Sequence, residues 1–208
     1  MSVMVSIVSG PRNAVDVSST IAPVKTGDPT GALGPVSVEE LLAREEIHDV
    51  LKRYVRAVDR ADADLMASCY HDDGVDDHGM FRGQATEFAE FVCGERSKRY
   101  EATHHFIAPP NIRVSGDSAY VDTYCIAHQI SAPDDAGQRF DYMVGLRYVD
   151  RFDRRDGRWL IAHRTAVFDW TYTVTIDEDR ARSFGPDWSV GSRDRLDPWY
   201  RLGELDDG

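Results

Sequence analysis

The stretch RFDYMVGLRYVDRFDRRDGRWLIAHRTAVFDW, residues 139–170, decides the fold. It reads as two strands, Arg139–Phe152 and Arg158–Thr175, joined by the turn Asp153-Arg154-Arg155-Asp156-Gly157. In the first strand Phe140, Tyr142, Val144, Leu146, Tyr148 and Phe152 alternate with Arg139, Asp141, Arg147 and Arg151. A period of two marks a strand with one buried face. The turn carries Asp-Gly, a pair suited to positive φ.

The second strand is apolar on both sides. Read as a regular strand, it sets Leu160, Ala162 and Arg164 on one face and Trp159, Ile161 and His163 on the other. Such a sheet needs a cover on each face. Helices of the same chain are expected on one, and on the other a partner subunit or the C-terminal tail. Arg164 either points into a cavity or pairs with an acid at a wet end of the sheet.

Outward from the hairpin, the chain is helical first and β afterwards. Residues 1–36 are rich in Ser, Thr, Pro, Gly and Val without periodicity, which predicts a flexible arm. Ser37 and Glu40 form a capping box, and a helix follows to about Arg60 with Ile47, Leu51, Tyr54, Val55 and Val58 as its apolar stripe. Asp59 lies in the last turn, where the helix dipole disfavours an anion. It is either a surface acid paired with Arg56 or Arg60, or a residue placed there for a task.

Asp62 caps a short helix through Cys69. His71–Gly79 reads as a solvated, acid-rich turn without metal-ligand spacing, so no metal site is expected. A third helix over Gln84–Lys98 buries Phe88, Phe91 and Val92. Strands then follow over Ala102–Val114 and Ser118–Ser131. Phe184, Trp188, Trp199 and Tyr200 predict a C-terminal tail, residues 177–208, docked on the body at 37–176. Helices followed by an antiparallel meander give an α+β plan.

Composition narrows the function. A net charge of −12 argues against nucleic acid and against an anionic membrane surface. Cys69, Cys93 and Cys125 are odd in number with no CxxC, which points to reduced thiols in the cytoplasm. No apolar run reaches membrane length, and Met1–Gly10 lacks the basic start of a signal peptide. No GxGxxG, P-loop, HExxH or GxSxG occurs, so nucleotide and serine-hydrolase chemistry have no motif support.

His104 and His105 open the first long strand. His104 shares parity with Phe106, Ile112 and Val114, so it is expected to face inward unless Pro109-Pro110 shifts the register. A-V-D ending the first helix, T-H-H opening this strand and Y-V-D-R-F-x-R-R-D-G-R-W-x-I-x-x-R across the hairpin form one pattern. It resembles the SnoaL-like branch of the nuclear-transport-factor-two-like superfamily over about residues 38–172. That branch includes scytalone dehydratase, bile-acid dehydratases and hexachlorocyclohexane dehydrochlorinase.

The resemblance implies a cone: a curved, mainly antiparallel sheet wrapped around a long helix, with a pocket between. It implies homodimers or homotrimers and no cofactor. Asp59 matches the family's catalytic aspartate, His104 its histidine and Arg164 an arginine that steadies developing negative charge. Tyr54 matches a pocket tyrosine, at the position where the dehydrochlorinase has a lysine. Tyr124, Phe88, Tyr142 and Phe168 are expected to hold the substrate. The implied activity is a lyase or isomerase acting on a hydrophobic, oxygenated small molecule such as a steroid, terpenoid or polyketide. The alternatives are a cyclase or double-bond isomerase with the same residues, or a module that binds without catalysis.

Overall fold

A single hydroxyl starts the first helix. Ser37 Oγ accepts the Glu40 N–H at 3.1 Å, and α1 runs Val38–Arg60. Ala43, Ile47, Val50, Leu51, Tyr54 and Ala57 line its buried side. The helix stops where Ala61 turns left-handed at φ 52° and the Asp62 N–H returns to the Ala57 carbonyl at 2.9 Å. Asp62 at once caps α2, Ala63–Ala67, by accepting the Leu65 N–H at 3.1 Å. This tight corner brings the end of α1, and with it Asp59, against the sheet.

The computed structural model describes residues 36–176 and 184–207. The arm expected at 1–36 lies outside the described residues except for its last position. After α2 come β1 (Tyr70–Asp77), β2 (Arg82–Gln84), α3 (Ala85–Cys93), β3 (Tyr100–Ile107), β4 (Asn111–Ser115), β5 (Ser118–Ser131), β6 (Arg139–Arg155) and β7 (Arg158–Ile176). They form one sheet in the order β2-β1-β7-β6-β5-β3, with β4 also paired to β5. All pairings are antiparallel except β1 with β7. The result is an open, mixed α+β cone with α1 and α3 on its concave side.

Two bulges on β7 correct the regular-strand expectation. Phe152 pairs with Ile161 but Arg151 pairs with His163, so Ala162 is an extra residue. That insertion turns Trp159 and Ile161 to the same inner face as Arg164. Trp159 and Ile161 are buried within this chain and do not await a partner subunit. A second bulge follows where Leu146 pairs with Phe168 and Gly145 with Trp170. Beyond it Trp170, Tyr172 and Val174 face outward and are exposed. The Trp170 ring lies so close to Gly145 that an added Cβ would stand 2.1 Å from it.

Three other expectations change. His71–Gly79 is not a solvated turn: most of it is strand β1, hydrogen-bonded to β7, and Asp76 within it is fully buried. The strand drawn over 102–114 breaks at Ala108–Pro110 into β3 and β4. The third helix ends at Cys93, a 3-10 turn occupies Ser97–Arg99, and Phe91 is exposed.

Residues 192–200 of the tail lie against the end of α1, whereas Phe184 and Trp188, also expected to dock, pack on each other and stay exposed. Arg60 donates to the Ser192 carbonyl at 2.8 Å, Tyr200 donates to Asp62 at 2.8 Å, and the Arg56 guanidinium sits 3.4 Å from the Trp199 ring centre.

Candidate active site

The site begins with the register of β3. Thr103, His105 and Ile107 pair with Gln129, Ala127 and Cys125, the inner row of β5. His104 and Phe106 therefore face outward, opposite His128 and Ile126. This corrects the inward placement of His104, which is exposed. The prolines between β3 and β4 supply the reason. Inner positions are odd-numbered in β3, whereas Ile112 and Val114 turn inward in β4. Parity carried back from β4 selected the wrong histidine.

Asp59 accordingly holds His105. Its Oδ1 lies 2.7 Å from His105 Nδ1, and its Oδ2 accepts the His105 backbone N–H at 3.1 Å. Both partners are nearly buried. An ionised carboxylate only accepts, so the network assigns the neutral ring's proton to Nδ1 and leaves Nε2 with a free lone pair. His105 lines a cavity between α1, α3 and the sheet, part of it open to solvent. Val58, Phe88, Leu146 and Phe168 make much of its wall apolar.

Tyr54 and Tyr148 also line this cavity. Burial first, and for Tyr54 the Asp76 charge next, push both phenols above their ordinary pKa. They remain neutral donors across the physiological range. Arg164 stands behind them and is not part of the cavity wall. Its guanidinium carbon is 4.0 Å from the Tyr54 ring centre and 4.1 Å from that of Tyr148. Asp150 grips it with two bonds of 2.8 and 2.7 Å, and neither side chain meets solvent. Of the two alternatives for Arg164, the pairing with an acid holds, but deep inside the cone.

The expected substrate-binding residues divide. Phe88 and Phe168 line the cavity. Tyr124 faces outward, 55% exposed, beside Arg147. Tyr142 packs against Phe140 at 6.1 Å between ring centres, away from the cavity wall.

Sequence reasoning missed two contributors. His78 stacks on Phe88 at 4.4 Å, lines the cavity and is hydrogen-bonded through Nδ1 to the buried Asp76. Asp76 also accepts from Tyr70 Oη at 2.5 Å. The available signal was Asp-x-His at strand spacing, which puts both side chains on one face. The second is Arg193 of the tail, which reaches the cavity and donates to Thr103 Oγ1 at 2.8 Å. Among the described residues no cluster of three or more His, Cys, Asp and Glu is arranged to hold a metal ion.

Comparison with known proteins follows the same lines. Residues 39–165 match the model of the SnoaL-like domain. No curated protein matches the chain. Several solved structures share its fold. A hexachlorocyclohexane dehydrochlorinase, LinA-type3 of Novosphingobium barchaimii LL02, is 18% identical with a TM-score of 0.58, covering 72% of this chain and 98% of its own. A Novosphingobium aromaticivorans protein named for scytalone dehydratase is 17% identical with a TM-score of 0.57, covering 68% and 97%. A nuclear transport factor 2-like protein of Salmonella enterica serovar Typhimurium is 20% identical with a TM-score of 0.54, covering 62% and 92%. Identities this low speak for the fold. The match over residues 39–165, on an α+β cone of this superfamily's type, places the chain in the SnoaL-like domain family.

Proposed function

We propose that the protein is a cofactor-independent lyase or isomerase that removes a carbon-bound proton from a hydrophobic, oxygenated small molecule. His105 is the base and Asp59 its positioning partner. One observation carries the reading: a histidine on the wall of a mostly apolar cavity has its rear nitrogen fixed by a buried carboxylate.

The chemistry follows from that arrangement. As the C–H bond breaks, its proton passes to Nε2 and the electron pair moves toward an adjacent carbonyl. Asp59 stabilises the imidazolium as it forms. Tyr54 and Tyr148 donate to the oxygen that gathers charge, in a site where burial strengthens each such bond. Arg164 positions the two rings and adds a positive field from behind. If a hydroxyl stands beside the carbanion, its C–O bond breaks and the imidazolium returns its proton to the departing oxygen, releasing water. Without such a hydroxyl, the proton returns to another carbon and the double bond migrates.

Tyr54 stands where a dehydrochlorinase of this superfamily carries a lysine, which favours handling of hydroxyl over halide. The cavity's aromatic and apolar walls suit a steroid, terpenoid or polyketide skeleton. Three free thiols suit a cytoplasmic setting. Assembly as a homodimer or homotrimer would cover the outer sheet face, where Phe106, Ile126, Tyr172 and Val174 lie exposed. Light scattering should return a multiple of 23.4 kDa, and Tyr172→Lys with Val174→Lys should reduce it to the monomer mass.

The reaction itself is tested by incubating the protein with a panel of β-hydroxy carbonyl compounds on such skeletons and following mass and ultraviolet absorbance. Loss of water identifies a lyase, and unchanged mass with a shifted double bond an isomerase. Panel members that bind yet never change would contradict the proposal.

A further inference from the structure

The charge of the cavity wall runs against the charge of the chain. The whole sequence carries −12, yet the wall contains Arg96, Arg193, His78 and His105 and no Asp or Glu. Asp59 and Asp76 stand behind the two histidines. Asp59 spends its oxygens on the side chain and backbone of His105, and Asp76 spends its own on His78 and Tyr70. What a ligand meets is an apolar surface with two guanidinium groups, those of Arg96 and Arg193, set into it.

Arg193 is the most telling of these. It comes from the tail, outside the matched 39–165, and is half-buried, bound through Nη1 to Thr103. Burial pulls its pKa down, which marks a guanidinium stripped of part of its water. Among the described residues neither Arg193 nor Arg96 forms a direct ion pair, although the Asp59 charge acts on Arg193 from within the site. A guanidinium has five N–H donors, and one is accounted for here. A desolvated cation with spare donors beside a ligand cavity is a natural seat for a carboxylate.

We propose that the cavity selects a hydrophobic organic anion, with Arg193 of the tail and Arg96 holding its carboxylate. This rests on the reading that the cavity is the substrate site, and it sharpens the substrate class from a neutral oxygenated molecule to an acid. The position follows from the strand. Thr103 and His105 are two residues apart on the inner face of β3, roughly 7 Å at ordinary strand rise. The carboxylate is therefore held along the same strand as the base that meets the carbon losing its proton. The tail thereby becomes part of the specificity of the site.

Two dyes that differ by one anionic group test this without a known substrate. 8-Anilinonaphthalene-1-sulfonate and uncharged N-phenyl-1-naphthylamine both brighten in apolar cavities, and neither undergoes the proposed reaction. The outcome therefore bears on charge selectivity, while the role of His105 keeps its own test. Fluorescence titrations are run on the full chain and on Arg193→Gln, Arg193→Lys and Arg96→Gln, each checked for fold by circular dichroism. The wild type should bind the sulfonate at least about tenfold more tightly than the amine, a difference within reach of one desolvated ion pair. Arg193→Gln and Arg96→Gln should each remove most of that preference by weakening the sulfonate alone, and Arg193→Lys should keep most of it. Equal wild-type affinities, no brightening with either dye, or a sulfonate preference that survives both glutamine variants would overturn the proposal. Parallel loss of both dyes in Arg193→Gln would also overturn it, because the arginine would then serve to dock the tail.

Discussion

Arg164 carries a full charge where no water reaches it. Burial works against that charge, but the Asp150 carboxylate together with Tyr70 and Tyr54 outweighs it and holds the pKa well above the ordinary value. Burial likewise lifts the Asp150 carboxyl. Pairs of this kind are unforgiving when halved, since the survivor is left buried and unpaired. Arg164→Met should destabilise the protein by about 3–5 kcal/mol in urea unfolding, and adding Asp150→Leu should recover most of the loss. A single variant within about 1 kcal/mol of wild type would refute this description of the pair. At this scale the sequence was legible in part. Asp59, Tyr54 and the T-H-H motif were visible, but adjacent histidines on a strand point to opposite faces. Choosing between them needed the register, which the proline break conceals. Asp76 and His78 were hidden by their company, because a run of acids and glycine resembles a turn until tertiary pairing makes it a strand.

Elements meet at Asp62, whose two carboxylate oxygens serve different masters. Oδ1 caps α2 through Leu65, and Oδ2 accepts from Tyr200 of the tail, with Arg195 alongside at 3.3 Å. Asp62→Ala should cost about 1–2 kcal/mol through the lost cap. It should also release the tail, read as faster limited proteolysis after residue 184. Unchanged proteolysis with a weakened helix would mean that Arg56, Arg60 and Trp199 suffice to dock the tail. Element types along the chain were largely legible, because capping boxes and period-two alternation are local signals. The bulge at Ala162 was not. One inserted residue leaves the composition of β7 unchanged yet moves Trp159 and Ile161 to the other face. The amino acids on either side give no sign of it.

Over the whole molecule, burial tunes the three thiols together. Cys69 and Cys125 are pushed up to about 11 and Cys93 to about 12, all by desolvation. Unfolded thiols lose their protons near pH 9.0, so between these limits the native state binds more protons than the unfolded one. The sign is fixed by that difference. The contribution is fully present below about pH 9 and declines as pH rises toward 11 to 12. Tyr54 adds to the same slope. The urea midpoint should hold from pH 7 to about 9 and then fall, and a midpoint that stays level to pH 10.5 would contradict the burial of these groups. The cone itself was the most legible feature of all, since the hairpin pattern specifies both its strands and its family. The cavity's charge was the least. It depends on a tail residue far from β3 in sequence, and only the folded chain joins them.

The Asp59–His105 pair is the centre of the proposed chemistry, and deuterium uptake measures it most directly. A ligand returned by the conversion panel is incubated in heavy water, and label entering at its acidic carbon or product is followed by mass spectrometry. Wild type and folded His104→Ala should incorporate label at similar rates. His105→Ala should be slower by on the order of 100-fold or more, as expected for loss of a general base. Asp59→Asn should lower the rate strongly with little change in affinity, and the double variant should be no worse than about the poorer single one. A folded His105→Ala protein that exchanges at the wild-type rate, or a His104→Ala protein that does not, would contradict the account.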